Sequence, residues 1–139
     1  MKSLDLLDTS FVVALLNRSD AHHHWAKSLW TELKPPVLTC EAVCAETMHL
    51  MRNCSGGGRE LLELISRGIV VIRFQAGEHA AALKLLMQKY ADLPMSFADA
   101  CLVRMAELEP NSRVFTADSD FTIYRRHGRQ RIITELPRT

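Results

Sequence analysis

The 139-residue sequence predicts a single α/β domain built on a mainly parallel sheet. Three observations carry that prediction. Short apolar, β-branched or leucine-rich runs alternate with longer helical patterns. The length suits one domain able to bury most of a real core, and no repeat, linker or low-complexity tract divides residues 1–139. Acids stand just beyond the ends of two of the apolar runs, where open parallel sheets collect their ligands.

The elements follow in order. The first run, Ser3–Leu7, reads as a strand that ends at Asp8 and gives way to a helix over Ser10–Leu16. Asp5 interrupts that run, so the strand's N-terminal end is expected to be exposed. A helix over Asp20–Lys34 precedes a strand at Pro36–Thr39, and a third helix covers Glu41–Arg52. The stretch NCSGGGRE breaks the helical pattern and reads as a loop. It does not read as a phosphate-binding loop, because no strand precedes it and no G-K-[ST] follows. Next come a helix over Arg59–Arg67, a strand at Ile69–Phe74, and helices over Gly77–Tyr90 and Phe97–Leu108. A strand at Arg113–Thr116, a short helix around Phe121–Arg126 and a strand at Arg131–Glu135 complete the chain.

Composition narrows the class. A hydrophobic fraction of 47% and a charged fraction of 24% are those of an ordinary soluble protein. No apolar run approaches the roughly 20 residues needed to cross a bilayer. MKSLDLLD carries acids inside its apolar stretch, unlike a signal peptide, so a cytoplasmic location is expected. Cys40, Cys44, Cys54 and Cys101 make no C-x-x-C pair and read as small buried thiols. The net charge of +1 excludes strong global attraction to nucleic acid. The segment from Ile123 to Thr139 nevertheless holds five arginines against Glu135, a local +4 that could grip phosphates or simply be solvated surface.

Four acids occupy places that need explaining. Asp8 ends the first strand, and Asp118, in RVFTADSDF, ends the fourth, so both point toward one crevice. Glu46 shares a helical face with Val43 and Leu50, and Asp99 shares one with Leu102, Val103 and Ala106. Each has a structural explanation of its own. Asp8 suits a helix start, and Ser96 with Asp99 resembles a capping box. Asp118 and Asp120 could cap the short helix that follows, and Glu46 could reach solvent from the stripe's edge. Yet no lysine or arginine is spaced to neutralise either helical acid on its own face. Two carboxylates about 5 Å apart repel by roughly 3 kcal/mol, or about two pKa units, at an effective dielectric near 20. A hard divalent cation reverses that sign, and an all-oxygen ligand set suits Mg²⁺ or Mn²⁺. Acids, such an ion and a basic rim together suggest hydrolysis of a phosphodiester.

The ordered pieces LLDTSFVVALL, the Glu46 helix, LPMSFADACLVRMAE and VFTADSDF resemble a PIN-domain ribonuclease, most nearly the VapC-type toxins of bacterial toxin–antitoxin pairs. The resemblance spans nearly the whole chain. It implies a three-layer α/β/α sandwich, metal-dependent endonuclease activity on RNA, a homodimer, and a small antitoxin as partner. By position it implies that Asp8, Glu46, Asp99 and Asp118 hold Mg²⁺ or Mn²⁺ and activate water. Ser10 and Thr116 then take supporting hydroxyl positions. Asp120 competes with Asp118 as ligand, and Asp92 falls in a loop or behind the ligands. Arg125, Arg126 and Arg129 are candidate RNA contacts. The run His22–Trp25 fits a structural D-x-x-H pattern from Asp20 better than a metal site, because consecutive helical histidines diverge. Two rival readings stand beside this one. A receiver-like Mg²⁺-binding domain lacks its acid after the third strand, since GIVVIRFQAG offers none. A non-catalytic interaction module of the same fold would keep the architecture without the chemistry.

Overall fold

A computed structural model describes residues 4–138. Five strands form one sheet in the order β3-β2-β1-β4-β7, and every pairing is parallel. They are β1 (Leu6–Leu7), β2 (Val37–Thr39), β3 (Val70–Ile72), β4 (Arg113–Phe115) and β7 (Ile133–Glu135). Six α-helices connect them: α1 (Thr9–Leu16), α2 (His23–Glu32), α3 (Glu41–Leu50), α4 (Arg59–Ser66), α5 (Ala80–Lys89) and α6 (Phe97–Leu108). The chain steps outward from β1 to β2 and β3, then crosses back to β4 and on to β7. Right-handed crossovers running in opposite directions put helices on both faces, which makes the expected α/β/α sandwich. No helix among the described residues is long and apolar enough to cross a membrane.

Burial is concentrated in the central strands, while the edge strands β3 and β7 are partly exposed. Leu6, Leu7, Val114 and Phe115 are all but inaccessible, and Phe11 packs edge-on against Phe115 at 5.4 Å and Trp25 at 5.5 Å. Seven of the twelve residues of α6 are buried, among them Ala98, Cys101, Leu102 and Met105. That places the helix across the centre of the fold and carries Asp99 in with it. Gly58 at the start of α4 takes φ 84°, and a Cβ there would meet Met48 Sδ at 3.0 Å, so the glycine run is a backbone requirement of the turn.

Several expected elements are redrawn. The helix expected around Phe121–Arg126 is a single 3₁₀ turn, Ser119–Thr122, followed by a strand β5 (Arg125–Arg126). A segment so short has little helical stability of its own. Pairing of β5 with β6 (Gln130–Arg131), closed by His127 and Gly128 at positive φ, captures it as a hairpin. The strand expected over Arg131–Glu135 is therefore split, with Arg131 in the hairpin and Ile133–Glu135 on the sheet. The helix expected from Asp20 starts at His23, because the Asp20 carboxylate holds the His22 N–H in a turn. The helix expected from Gly77 opens as a 3₁₀ turn, Ala76–His79. Of the strand expected over Ser3–Leu7, Ser3 lies outside the described residues and Leu6–Leu7 alone form the strand. Asp5 is not left exposed: its carboxylate takes two bonds from the Arg113 guanidinium, which also reaches Glu135.

Candidate active site

The crevice lies where the sheet's connections diverge, at the carboxyl ends of β1 and β4. Leu7 pairs with Phe115, and the Asp8 N–H continues the ladder to the Phe115 carbonyl at 3.0 Å, so Asp8 and Thr116 stand level just beyond the strands. Asp8 begins α1, and its Oδ1 accepts the Thr9 N–H at 2.8 Å. Its Oδ2 accepts the Thr116 hydroxyl at 2.6 Å and the Ser10 hydroxyl at 3.3 Å. Those hydroxyls are held by backbone donors in turn: Ala117 N–H to Ser10 Oγ at 2.8 Å, and Asp118 N–H to Thr116 Oγ1 at 2.9 Å. Main-chain N–H groups at the end of β4 are thus relayed through two hydroxyls onto one carboxylate. Ser10 and Thr116, the supporting hydroxyls the resemblance implies, both donate to Asp8 Oδ2.

Asp118 caps the 3₁₀ turn, with Oδ1 accepting the Asp120 N–H at 2.9 Å. Asp99 stands one turn into α6, and Ser96 and Asp99 form a reciprocal capping box at 3.0 and 3.2 Å. The same Asp99 Oδ2 takes a bond from the Tyr124 hydroxyl at 3.1 Å. Glu46, halfway along α3, is tied to the cluster through Thr9, whose hydroxyl donates to Glu46 Oε1 at 2.6 Å. Leu50, expected beside Glu46 on the apolar stripe, is 58% exposed, so Glu46 rides the edge of the buried face of α3.

One pattern runs through three of the four acids, whereas Asp8 has both carboxylate oxygens engaged. Asp99 Oδ1, Asp118 Oδ2 and Glu46 Oε2 have no hydrogen-bond partner among the described residues, although each carboxylate's other oxygen has one. None of the four forms an ion pair among the described residues. Burial, with the charges of Asp99 and Asp118, pushes the Asp8 carboxyl up to about 7 against the opposing bonds from Thr116 and Thr9. Burial likewise raises Asp99, with the Asp118 charge adding to it. The phenol of Tyr124 is raised by burial and by the acids around it, and remains a protonated donor. The cluster is anionic, undercompensated and equipped with oxygen donors alone, which fits a hard divalent cation. Among the described residues no three His, Cys, Asp or Glu side chains converge into a preformed cage.

The other candidates separate. Asp120 lies beside Asp118 with its carboxylate unbonded among the described residues, and Asp92 is in an exposed turn. Arg125 is turned onto the carbonyls of Thr122, Ile123 and Tyr124, and Arg126 onto that of Ala106. Arg129 alone of that trio is exposed with no side-chain bond among the described residues. His23 holds the Ala14 carbonyl at 2.7 Å, tying α2 to α1. All four cysteines are free; Cys40 and Cys101 are buried, whereas Cys44 and Cys54 are only half-buried. Thr9 and Tyr124 are site residues that sequence reasoning missed. The first was hidden between two more conspicuous neighbours, and the second gave no spacing signal.

Comparison with known proteins agrees with this architecture. The family model described as PIN domain matches residues 6–126. Two curated relatives, both described as the 23S rRNA-specific endonuclease VapC20, come from Mycobacterium tuberculosis strains CDC 1551 / Oshkosh and ATCC 25618 / H37Rv. Each is 29% identical over 119 residues, covering 84% of this chain and 90% of its own. The crystal structure of M. tuberculosis VapC20, described as a Sarcin-Ricin loop cleaving toxin, aligns with a TM-score of 0.74 at 27% identity. It covers 85% of this chain and 92% of its own.

Proposed function

Because the chain belongs to the PIN domain family, we propose that it is a metal-dependent endoribonuclease acting as the toxin of a type II toxin–antitoxin pair. The observation that carries this reading is the set of acids around the strand ends, held in place by hydrogen bonds and, among the described residues, without a basic side chain in ion pair with any of them. The relatives named as 23S rRNA-specific endonucleases supply the substrate class, RNA.

Asp8, Asp99, Asp118 and Glu46 would hold Mg²⁺ or Mn²⁺, with Asp120 placed to substitute for or assist Asp118. Such an ion, when bound, polarises the phosphodiester and lowers the pKa of attacking water. The chain's own part is orientation and charge. Thr116 and Ser10 fix Asp8, Thr9 fixes Glu46, and the capping bonds fix Asp99 and Asp118. With its carboxyl raised to about 7, Asp8 holds a proton for part of the time near neutrality and gives it up as positive charge enters the cluster. Arg129 of the β5–β6 hairpin offers a free guanidinium for an RNA phosphate, in a role that Arg125 and Arg126 fill less well because theirs are engaged on carbonyls. The same reading makes residues 1–139 one PIN-like domain, cytoplasmic, homodimeric, and neutralised by a small antitoxin covering the acidic groove.

The test is cleavage of purified bacterial RNA by the wild type and by Asp99→Asn, with Mn²⁺ or with EDTA. Cleavage confined to wild type with Mn²⁺ is the expected result. Equal cleavage by the variant, or cleavage unaffected by EDTA, would remove the acid cluster from the reaction.

A further inference from the structure

Tyr124 is wholly buried, with its ring packed edge-on against Tyr90 at 5.1 Å and Phe121 at 5.2 Å. Packing alone would be satisfied by phenylalanine. The hydroxyl instead ends at Asp99 Oδ2, 3.1 Å away, the oxygen that also receives the Ser96 N–H. Tyr124 is carried on the segment that begins with Asp118, and its own N–H bonds to the Asp120 carbonyl at 3.1 Å. Tyr124 therefore ties the segment that follows β4, through its backbone, to the helical acid, through its hydroxyl.

We propose that Tyr124 is a positioning residue for the cation site: its hydroxyl clamps Asp99 Oδ2, fixes the rotation of that carboxylate, and leaves Oδ1 as the donor to the ion. This rests on the reading of the four acids as a metal site. The capping box supplies one restraint on Oδ2, but a single bond from Ser96 leaves the carboxylate free to rock about it. A second donor from the opposite element fixes the plane. Groups that orient metal ligands in this way commonly change metal affinity by 10–100-fold when removed. The bond is a neutral phenol donating to a carboxylate, so it adds no charge that would compete with the cation.

The test uses Tyr124→Phe, which keeps the packed ring and deletes the one hydroxyl. Tyr90→Phe serves as a control that loses a buried hydroxyl of the same kind. The Tyr90 hydroxyl accepts the Arg125 N–H at 2.8 Å and touches none of the acids. Mn²⁺ affinity is measured by electron paramagnetic resonance and thermal midpoint without metal, for both variants, wild type and Asp99→Asn. The expected result is about tenfold weaker Mn²⁺ binding by Tyr124→Phe, with a midpoint lowered about as much as that of Tyr90→Phe. Tyr90→Phe is expected to lower the midpoint and leave affinity within about twofold. Unchanged affinity in Tyr124→Phe would overturn the proposal while leaving the acid cluster intact. So would an affinity loss that Tyr90→Phe matches at equal loss of midpoint. If wild type itself binds no Mn²⁺, the metal-site reading fails, and the role of Tyr124 fails with it.

Discussion

The two ends of β1 carry one aspartate each, and their surroundings are opposite. At the entry, Asp5 is gripped by Arg113, which also bonds Glu135 and lies over the Phe115 ring at 4.9 Å. At the exit, Asp8 meets two hydroxyls, one backbone N–H and the charges of two further aspartates, with no basic side chain in ion pair with it among the described residues. The same residue type, three positions apart, is therefore an internal tie at one end and an uncompensated charge at the other. An aspartate matched by a guanidinium needs nothing further. One left with hydroxyls in a buried crevice needs a cation or a proton, and that difference separates scaffold from site more sharply than burial does.

The contrast can be broken from the exit end first. Asp99→Asn and Asp118→Asn are each expected to lower RNA cleavage by about two orders of magnitude or more. The metal-free thermal midpoint should stay within a few degrees of wild type, which calorimetry beside a gel assay checks. Next in size is the pH dependence of the metal-free protein. The folded Asp8 carboxyl sits at about 7, above its unfolded value near 4, so the folded state binds more protons between those limits. Stability should therefore fall as pH rises from about 4 to 7, by at most about 1.4 kcal/mol per pH unit, and level off above. Urea midpoints at pH 5 and pH 7.5 read the slope, which Asp8→Asn should flatten. Mn²⁺ should restore more stability at the higher pH, because it binds the ionised acids.

The entry end gives a smaller and different signature. Arg113→Ala leaves Asp5 half-buried without its partner and should cost on the order of 1 kcal/mol in denaturant titration, given how exposed the guanidinium is. Mn²⁺ affinity should not move. Smallest is Arg129→Ala, expected to raise the KM for RNA a few-fold, more at low salt than at high, with kcat unchanged.

How much of this was legible before folding depends on the kind of signal. The acids could be found because each violates a local pattern: Asp8 and Asp118 close apolar runs, while Asp99 and Glu46 intrude on apolar faces. The α/β layering and the parallel sheet follow from the alternation of runs, whereas the strand order does not. The hairpin did not, because RRHGRQR has neither the alternation nor the apolar residues of a strand, and only the positive φ at His127 and Gly128 makes it one. Tyr124 and Thr9 were equally silent, since what they do depends on where Asp99 and Glu46 arrive from distant elements. The side-chain bonds of Arg125 and Arg126 were equally invisible in the run of positive charge: three carbonyls and then a fourth accept from those two guanidinium groups. The capping explanation and the site explanation of the acids also proved compatible, because a carboxylate has two oxygens and a cap engages one.

That division of labour within each carboxylate makes loss of chemistry and loss of shape separable. Asparagine keeps an oxygen able to accept the N–H that Asp8, Asp99 or Asp118 accepts now, and forfeits the charge. Aspartate-to-asparagine changes at these positions would accordingly produce a silenced but intact molecule. Such a molecule would still occupy any surface that recognises the fold, and in a mixed population it would act as a decoy for partners of the active form.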